Sequence, residues 1–411
     1  MTALQNKARP NHADSGSQNL GSQIIAATLA RFVLNTARRF AYPFAPALSR
    51  GLGVPMTAIT SLIAVNQVTA LIGVVFGPLT DRWGYRRMML AGMGLMILGM
   101  WMGGIFATYL SVFLAMLLAG LGKSVFDPAI QAYVGNQVPY HRRAQAVGMI
   151  EISWAGSSLI GIPLVGIMMQ WAGWISAFWI IGGLGIFCLI GIYRVLPGDT
   201  CHGVGTVSIA TMFNNWRSLV RNRPASGALG FIFFISAAND SLFVVFGAWM
   251  ESAFGLGLAS LGFSMAIIGV AELMGEGLTA MLSDRIGLSR AAIIGATLTT
   301  AAYLLLILMG QTLTMALTAL FVLFLAFEFT VVTTLSLCTE LHPSARATMM
   351  AGLYAAGALG RVTGALTGGI IWTLSGWTTV CMVSAAINAL GVLLLAWGVR
   401  NWKRTEDRPS L

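Results

Sequence analysis

Two glutamates stand one helical turn apart inside an apolar stretch of this 411-residue chain. Glu272 and Glu276 would lie on the same face of a helix. Two carboxylates this close cannot both be ionised cheaply, so one of them should hold a proton near neutral pH. Such a pair could couple movement of a solute to a proton gradient. Arg361, in a later apolar stretch, could oppose or modulate the pair; the alternative is a buried structural ion pair between them.

Other charged side chains are isolated in apolar stretches, where an ion normally faces a partner or a water-filled cavity. Lys123 and Asp127 are four residues apart and could pair along one helix, whereas an unpaired Arg31 would attract an anionic group. Asp127, Glu328 and Asp240 are additional candidates for proton binding. The candidates for contact with a small molecule are Arg31, Lys123, Arg361, Asn66, Gln67 and Asn239.

The isolated charges differ in sign between the two halves of the chain. The first half has four basic and two acidic groups in its apolar stretches, and the second half has one basic and four acidic groups. Arg38 and Arg39 are adjacent, so their side chains cannot face the same way. We expect one of them to extend toward the membrane surface.

A dense cluster of charge and glycine at residues 77–87 separates two apolar stretches. Its charged and glycine positions are Gly77, Asp81, Arg82, Gly84, Arg86 and Arg87. A partial copy with Asp284 and Arg285 follows 203 residues later, which indicates a duplicated chain. Gly84 permits a tight reversal, and the arginines suit anionic lipid headgroups. The simpler interpretation is a basic turn that only fixes topology.

The composition requires lipid as the solvent of this chain. Hydrophobic residues make up 57% of the sequence and charged residues only 9%, against about 25% in a typical soluble protein. The four cysteines have no metal-ligand spacing, so we expect no metal site. The net charge of +10 could suggest nucleic acid as a partner, but the position of the basic residues indicates membrane orientation instead.

Apolar runs long enough to cross a bilayer occur twelve times. The predicted spans are 22–46, 56–79, 87–107, 110–136, 145–170, 174–195, 225–250, 259–282, 290–309, 313–337, 347–373 and 377–399. They predict an all-α membrane protein with two pseudo-symmetric six-helix bundles, 22–195 and 225–399. Residues 1–21 form a disordered tail, 196–224 a linker and 400–411 a second tail in this scheme.

The basic residues predict which side of the membrane each loop occupies. Of the 24 Lys and Arg residues, 18 lie in tails, linker, loops or span ends on the side of the termini, five lie in span interiors, and only Arg50 lies on the opposite side. Both tails and the linker should therefore be cytoplasmic. Within the linker, residues 209–221 alternate apolar and polar faces, as in a helix lying on the membrane surface; an irregular linker is the alternative.

The loop at 77–87 resembles the loop between helices 2 and 3 of the major facilitator superfamily, and it matches every specified position of that pattern. The resemblance implies twelve helices around a central cavity lined by spans 1, 4, 7 and 10, with gates formed by spans 2, 5, 8 and 11. It also implies that the loop and its copy at Asp284 and Arg285 act as a conformational latch between the halves.

Span 5 contains Gly161, Pro163 and Gly166, and is similar in part to a motif of the drug/proton antiporter branch. Two glycines of that motif are replaced by Ile162 and Ile167, and a Gly and a Pro could simply kink the helix. Span 11 has glycines at 357, 360, 364 and 368, which predict close packing, with span 2 as the expected neighbour.

The sequence therefore predicts a monomeric secondary active transporter that moves a small organic solute by alternating access, without a cofactor. Proton coupling is expected, with antiport slightly favoured, in a bacterial inner membrane. A lipid or glycolipid flippase on the same fold is the main alternative. A membrane-embedded enzyme or receptor is less well supported, because the four histidines lie outside the spans and no catalytic motif is present.

Overall fold

The computed structural model describes residues 13–138, 140–198, 219, 221–341, 346–400 and 402. Most of both predicted tails, and the predicted surface helix of the linker apart from Leu219 and Arg221, lie outside the described residues. The first helix begins at Ala13, inside the predicted tail.

The first half contains eight helices that form six spans. They are α1 (Ala13–Arg39), α2 (Ala41–Leu52), α3 (Met56–Trp83), α4 (Tyr85–Phe106), α5 (Tyr109–Gln137), α6 (Tyr140–Gly156), α7 (Ile162–Ala172) and α8 (Ser176–Val195). Helices α1 and α2 together make span 1. Helices α6 and α7, joined by a π-helical turn at Ser157–Gly161, make span 5.

The second half repeats this plan. It comprises α9 (Arg223–Phe243), α10 (Phe246–Phe254), α11 (Leu258–Ile286), α12 (Leu288–Met309), α13 (Leu313–Leu341) and α14 (Arg346–Val399). Helix α14 has 54 residues, about 80 Å of helix, and the chain turns at Gly376 (φ 73°) within it, so it supplies spans 11 and 12.

Ten helical stretches in the described part of the chain are long and apolar enough to cross a bilayer, with α14 counted once. Span 1, with its three buried or half-buried arginines, completes the twelve spans that the sequence predicts. Large apolar side chains on spans 3, 6, 9 and 12 point outward, as lipid-facing helices require; examples are Leu98, Phe187, Leu308 and Leu393.

The backbone shows the duplication more clearly than the side chains do. Three pairs of glycines have positive φ and are separated by 202 or 203 residues: Gly53 with Gly255, Gly84 with Gly287, and Gly173 with Gly376. Gly84 (φ 95°) and Gly287 (φ 90°) lie inside the two copies of the charged segment and end helices α3 and α11, which therefore contain Asp81 and Asp284. The same left-handed turn at equivalent points supports an origin by duplication.

Two prolines break spans near their centres. Pro43 cannot donate to the carbonyl of Arg39, and span 1 is interrupted between Arg39 and Ala41. Pro163 likewise cannot donate to the carbonyl of Leu159, which lies in the π-helical turn of span 5. Both interruptions lie beside the space between the two halves.

The glycines of span 11 pack against α9, not against span 2 as the sequence analysis expected. A Cβ atom at Gly360 would lie 2.2 Å from the carbonyl oxygen of Phe233, and one at Gly364 would lie 2.3 Å from that of Ala237. Span 2 is reached only by the next glycine along, Gly369, where a Cβ would lie 2.6 Å from Thr60 Oγ1. The row of glycines at 357, 360, 364 and 368 is thus a packing surface within the second half.

The two halves meet closely at the end of the molecule that contains Arg50, here called the Arg50 end. A Cβ at Gly247 would lie 2.0 Å from the carbonyl oxygen of Pro43, and one at Gly166 would lie 2.7 Å from that of Leu258. These glycines bring spans 1 and 7, and spans 5 and 8, into backbone contact across the two halves.

Replacing Gly364 with alanine should destabilise the second half by about 1–3 kcal/mol, because α9 must move to accommodate the methyl group. Gly191→Ala is the matched control, because a Cβ at Gly191 meets nothing within 4 Å. Thermal unfolding of the purified protein in detergent should show a lower midpoint for the first variant only. Equal midpoints would contradict the assigned contact.

Candidate functional site

A small cavity lies between the two halves. The first half contributes Arg38, Arg39, Tyr42, Gln67 and Trp154 to its lining. The second half contributes Ser236, Asn239, Asp240, Phe243, Glu272, Phe324, Phe327, Glu328 and Arg361. Three guanidinium groups and three carboxyl groups therefore face one small space, together with aromatic rings.

A buried ion pair joins the halves at this cavity. Arg39 Nη2 lies 2.7 Å from Glu272 Oε1, and Arg39 Nη1 donates to Glu272 Oε2 at 3.2 Å. Each side chain is only 3% exposed. This two-point geometry matches the guanidinium fork to the carboxylate, and the pair fully commits Glu272 to Arg39.

Span 5 supports this pair from the side. Ser158, in the π-helical turn, donates its hydroxyl to Glu272 Oε2 at 3.1 Å. The guanidinium of Arg39 lies 4.3 Å from the ring centroid of Trp154 and donates to the Trp154 carbonyl oxygen at 3.4 Å. The irregular backbone of span 5 thus places the Ser158 hydroxyl against the Glu272 carboxylate. Such π-helical turns are frequent at functional sites.

A second polar chain crosses between the halves beside the ion pair. Tyr42 donates its hydroxyl to Asp240 Oδ1 at 2.6 Å, and Gln67 Nε2 donates to the same hydroxyl at 2.6 Å. Arg38 donates to Gln67 Oε1. The amide of Gln67 is therefore engaged at both atoms and holds Arg38 at the cavity wall.

Two charged groups of the lining have no such partner. For Arg361 and Glu328 we find no hydrogen bond or salt bridge within the described residues, and the Nε atom of Arg361 is buried without a hydrogen-bond partner. Glu328 is only 8% exposed. An unpaired ion is costly in such surroundings, so these two groups are the ones best suited to a ligand or a proton.

Arg31 lies in a separate network inside the first half. Its Nε atom is 3.1 Å from Asp127 Oδ1, and its Nη1 atom is 2.9 Å from Glu151 Oε1. Lys123 Nζ is 2.7 Å from Asp127 Oδ2, which confirms the expected pairing along span 4. The expectation of an unpaired Arg31 is wrong, because two carboxylates already neutralise it.

Two further interpretations differ from the structure. Glu272 pairs with Arg39, so the alternative interpretation of a buried ion pair with Arg361 is wrong. Neither Arg38 nor Arg39 extends toward the membrane surface, because Gln67 and Glu272 hold them at the cavity.

Asn66 lies outside the cavity lining and donates to the carbonyl oxygen of Met116 at 2.7 Å. Glu276 is half-buried beyond the cavity lining, one turn from Glu272. Of the predicted substrate and proton residues, the cavity brings together Gln67, Asn239, Asp240, Glu272, Glu328 and Arg361.

The segment at 77–87 is described only in part, because the surroundings of Gly77 and the side chain of Asp81 are outside what the structure describes. Arg86 donates to the carbonyl oxygen of Tyr193, and its guanidinium lies 4.7 Å from that ring centroid. Arg82, Asp284 and Arg285 are exposed. The described contact of Arg86 is thus with its own half, and the latch role stays a prediction.

Sequence reasoning overlooked Arg38 and Arg39 as site residues, as well as Ser158 and the aromatic residues Phe324 and Phe327. Adjacent arginines in an apolar span indicate a polar cavity at that depth, and Pro43 four residues after Arg39 indicates a break there. For Ser158, no pattern in the sequence predicts the contact, which depends on the π-helical turn.

The Arg39–Glu272 pair should be coupled by several kcal/mol. Replacing either residue alone with methionine should cost about 3–5 kcal/mol, because an uncompensated buried charge is left, and the double replacement should recover most of that loss. The control is a second ion pair between the halves, Arg50–Glu251, where Arg50 is 61% exposed; single methionine variants there should cost at most about 1 kcal/mol. Denaturant unfolding in detergent micelles measures the free energy of unfolding for both double-mutant cycles. Equal losses of stability at the two pairs would refute the assignment.

Comparison with known proteins shows the family to which the chain belongs. The model of the Major Facilitator Superfamily matches residues 27–237 and 229–410. The uncharacterized MFS-type transporter YwfA of Bacillus subtilis (strain 168) is 23% identical over 389 residues, 93% of each chain. A probable L-galactonate transporter of Escherichia coli (strain K12) is 28% identical over 235 residues, 53% of this chain and 51% of that protein.

Among solved structures, a mutant of the nucleoside transporter NupG matches with a TM-score of 0.78 at 14% identity, covering 91% of this chain and 98% of that chain. At this identity the likeness shows the fold alone. With the family match along both halves and ten apolar helical stretches in the described part of the chain, the conclusion is direct: the chain is a multi-pass membrane protein that belongs to the major facilitator superfamily.

Proposed function

We propose that the protein is a secondary active transporter that moves a small organic solute across the cytoplasmic membrane by alternating access, coupled to protons. The observation that carries the proposal is the cavity between the two halves, lined by Arg361 and Glu328, neither of which has a partner in the described part of the chain. A site formed jointly by both halves is one that a rocking movement can expose to either side in turn.

The contacts between the halves support a state closed at the Arg50 end. Besides the glycine contacts, Arg50 and Glu251 form an ion pair across the halves there, and Gln170 accepts from the backbone N–H of Ala259 at 3.1 Å. The excess of basic residues at the other end favours a cytoplasmic position for that end and for both termini. On this proposal the state is inward-open, in a bacterial inner membrane.

Glu328 is the best-placed carboxyl group for proton coupling. Glu272 is bound to Arg39, Asp240 accepts from Tyr42, and Asp127 is bound by Arg31 and Lys123. Glu328 lines the cavity without such a partner, so a proton is the simplest means of neutralising it. A proton there would respond directly to a solute in the same cavity.

A transported solute fits this geometry better than a flipped lipid. A flippase would need charged groups along a cleft open to the bilayer, whereas the unpaired charges here face the central cavity. The name of one relative, a probable L-galactonate transporter, supports an organic solute. Span 5 gives little support for the antiporter branch, because Gly166 is explained by contact with Leu258 and Pro163 by the π-helical turn.

The coupling is testable in proteoliposomes. A panel containing phenylacetate, gluconate, phenylalanine and phenethylamine is offered with and without an imposed pH gradient. At least one solute should move faster with the gradient, and Glu328→Gln should abolish the effect of the gradient, because the amide cannot exchange a proton. Glu276→Gln should retain it, since Glu276 lies outside the cavity lining. Gradient-dependent flux in the Glu328→Gln protein would disprove the assigned coupling site.

The proposed orientation predicts the behaviour of fusions at the C-terminus. A green fluorescent protein fused after residue 411 should fluoresce, and alkaline phosphatase at the same site should be inactive, because both report a cytoplasmic position. Alkaline phosphatase inserted in the turn at 53–55, beside Arg50, is the matched control and should be active. The reverse pattern would contradict the orientation.

A further inference from the structure

We propose that the solute is a small organic monoanion with an apolar body, and that it moves in the same direction as a proton held by Glu328. The inference rests on the proposed transport function and names the substrate class of the same cavity. It follows from how the charged and aromatic groups of the lining are divided.

One part of the cavity has a surplus of positive charge. Arg38 from the first half and Arg361 from the second interact electrostatically with each other and with Asp240. Asp127 also acts on Arg38, but Arg31 and Lys123 already neutralise it. Neither guanidinium forms a salt bridge within the described residues, and the Nε atoms of both are buried without a hydrogen-bond partner. Two guanidiniums against one carboxylate leave room for one further negative charge, such as a carboxylate.

The other part of the cavity, around Glu328, has no unpaired cation among the described residues. The charged groups facing Glu328 are Glu272 and Glu276 from α11, Arg39 from α1 and Glu151 from α6. Arg39 is already bound to Glu272, so it does not serve as the counter-ion of Glu328. Glu328 then faces the carboxylates of Glu276 and Glu151. This arrangement favours a bound proton over an ionised carboxylate.

The charge balance couples the proton to the solute. With every group ionised, the three guanidiniums and three carboxylates of the lining sum to zero. A proton on Glu328 makes the lining positive by one, and a bound monoanion restores neutrality. Each ligand therefore strengthens binding of the other, and by linkage the effect is reciprocal. Joint movement in one direction follows, whereas exchange would require the two to compete.

Aromatic side chains line the path between the two parts of the cavity. Tyr42 stacks on Phe243 with 4.6 Å between ring centroids, Phe324 lies 5.4 Å from Phe243, and Phe327 lies 6.4 Å from Phe324. Phe327 is adjacent to Glu328 in the chain. This wall leads from the positive part to the proton site and suits a flat apolar body.

Few neutral hydrogen-bonding groups remain for a polyhydroxylated solute. Gln67 is engaged at both amide atoms, and the hydroxyl of Tyr42 is engaged with Asp240 and Gln67. Asn239, whose Oδ1 atom has no hydrogen-bond partner, and Ser236 are the remaining neutral polar side chains of the lining. A carboxylate on an apolar body uses this lining better than a sugar acid does.

Binding to the purified full-length protein in detergent tests the inference without any transport. The probes are phenylacetate, its neutral amide phenylacetamide, the amine phenethylamine, the zwitterion phenylalanine and the sugar acid gluconate, titrated calorimetrically at several pH values. Phenylacetate should bind at least tenfold more tightly than each of the others. Its affinity should rise as the pH falls, by up to about tenfold per pH unit for one linked proton.

Two variants separate the roles of the two parts of the cavity. Glu328→Gln should bind phenylacetate with an affinity independent of pH, because its side chain stays neutral. Arg361→Gln should weaken phenylacetate at least tenfold and leave phenylacetamide unchanged. If the Arg361 variant does not fold, Arg38→Gln should likewise weaken phenylacetate binding and leave phenylacetamide binding unchanged.

The outcomes are distinct. Failure of phenylacetate to bind at pH 6, tighter binding of phenethylamine, phenylalanine or gluconate, or phenylacetate affinity that rises with pH would each overturn the inference. Flux of another solute in proteoliposomes, with no phenylacetate binding, would overturn the substrate class and leave the transport proposal standing. Binding of phenylacetate with no flux under any gradient would contradict transport and leave the site assignment intact.

Discussion

The requirement that buried charge be neutralised governs the centre of this protein. In a chain surrounded by lipid, each ion between the helices needs a counter-ion, a ligand or a proton. Arg39 and Glu272, each 3% exposed, neutralise each other across the two halves, and Ser158 donates a hydrogen bond to the Glu272 carboxylate. Because Glu272 is bound to Arg39, the charged lining groups without a partner among the described residues are Arg361 and Glu328, to which the proposed function assigns the solute and the proton.

The backbone irregularities serve this arrangement. Span 1 is broken beside Arg39, and span 5 widens into a π-helical turn at Ser158. Glycines at 166 and 247 let the halves approach closely at the Arg50 end, which closes the cavity there. The repeated left-handed turns at Gly84 and Gly287 show that the two halves share one plan, whereas the charges lining the cavity differ between them.

The sequence was sufficient for the fold, because twelve apolar runs and a repeated charged loop constrain a membrane protein strongly. It also predicted the pairing of Lys123 with Asp127, which depends only on helical spacing. It could not predict Arg39 with Glu272 or Tyr42 with Asp240, because partners some 200 residues apart depend on how the halves pack. The partners of Arg31 and the neighbour of the span 11 glycines depend on how helices pack within one half, which helical spacing does not determine either.

The central claim is that a proton and a solute neutralise this cavity together. The most direct measurement is the number of protons taken up when phenylacetate binds to the purified protein, obtained by calorimetry in buffers of different ionisation enthalpy. The account predicts uptake of up to one proton per bound molecule in the wild-type protein and none in Glu328→Gln. Proton release on binding, or equal uptake by the variant, would contradict it.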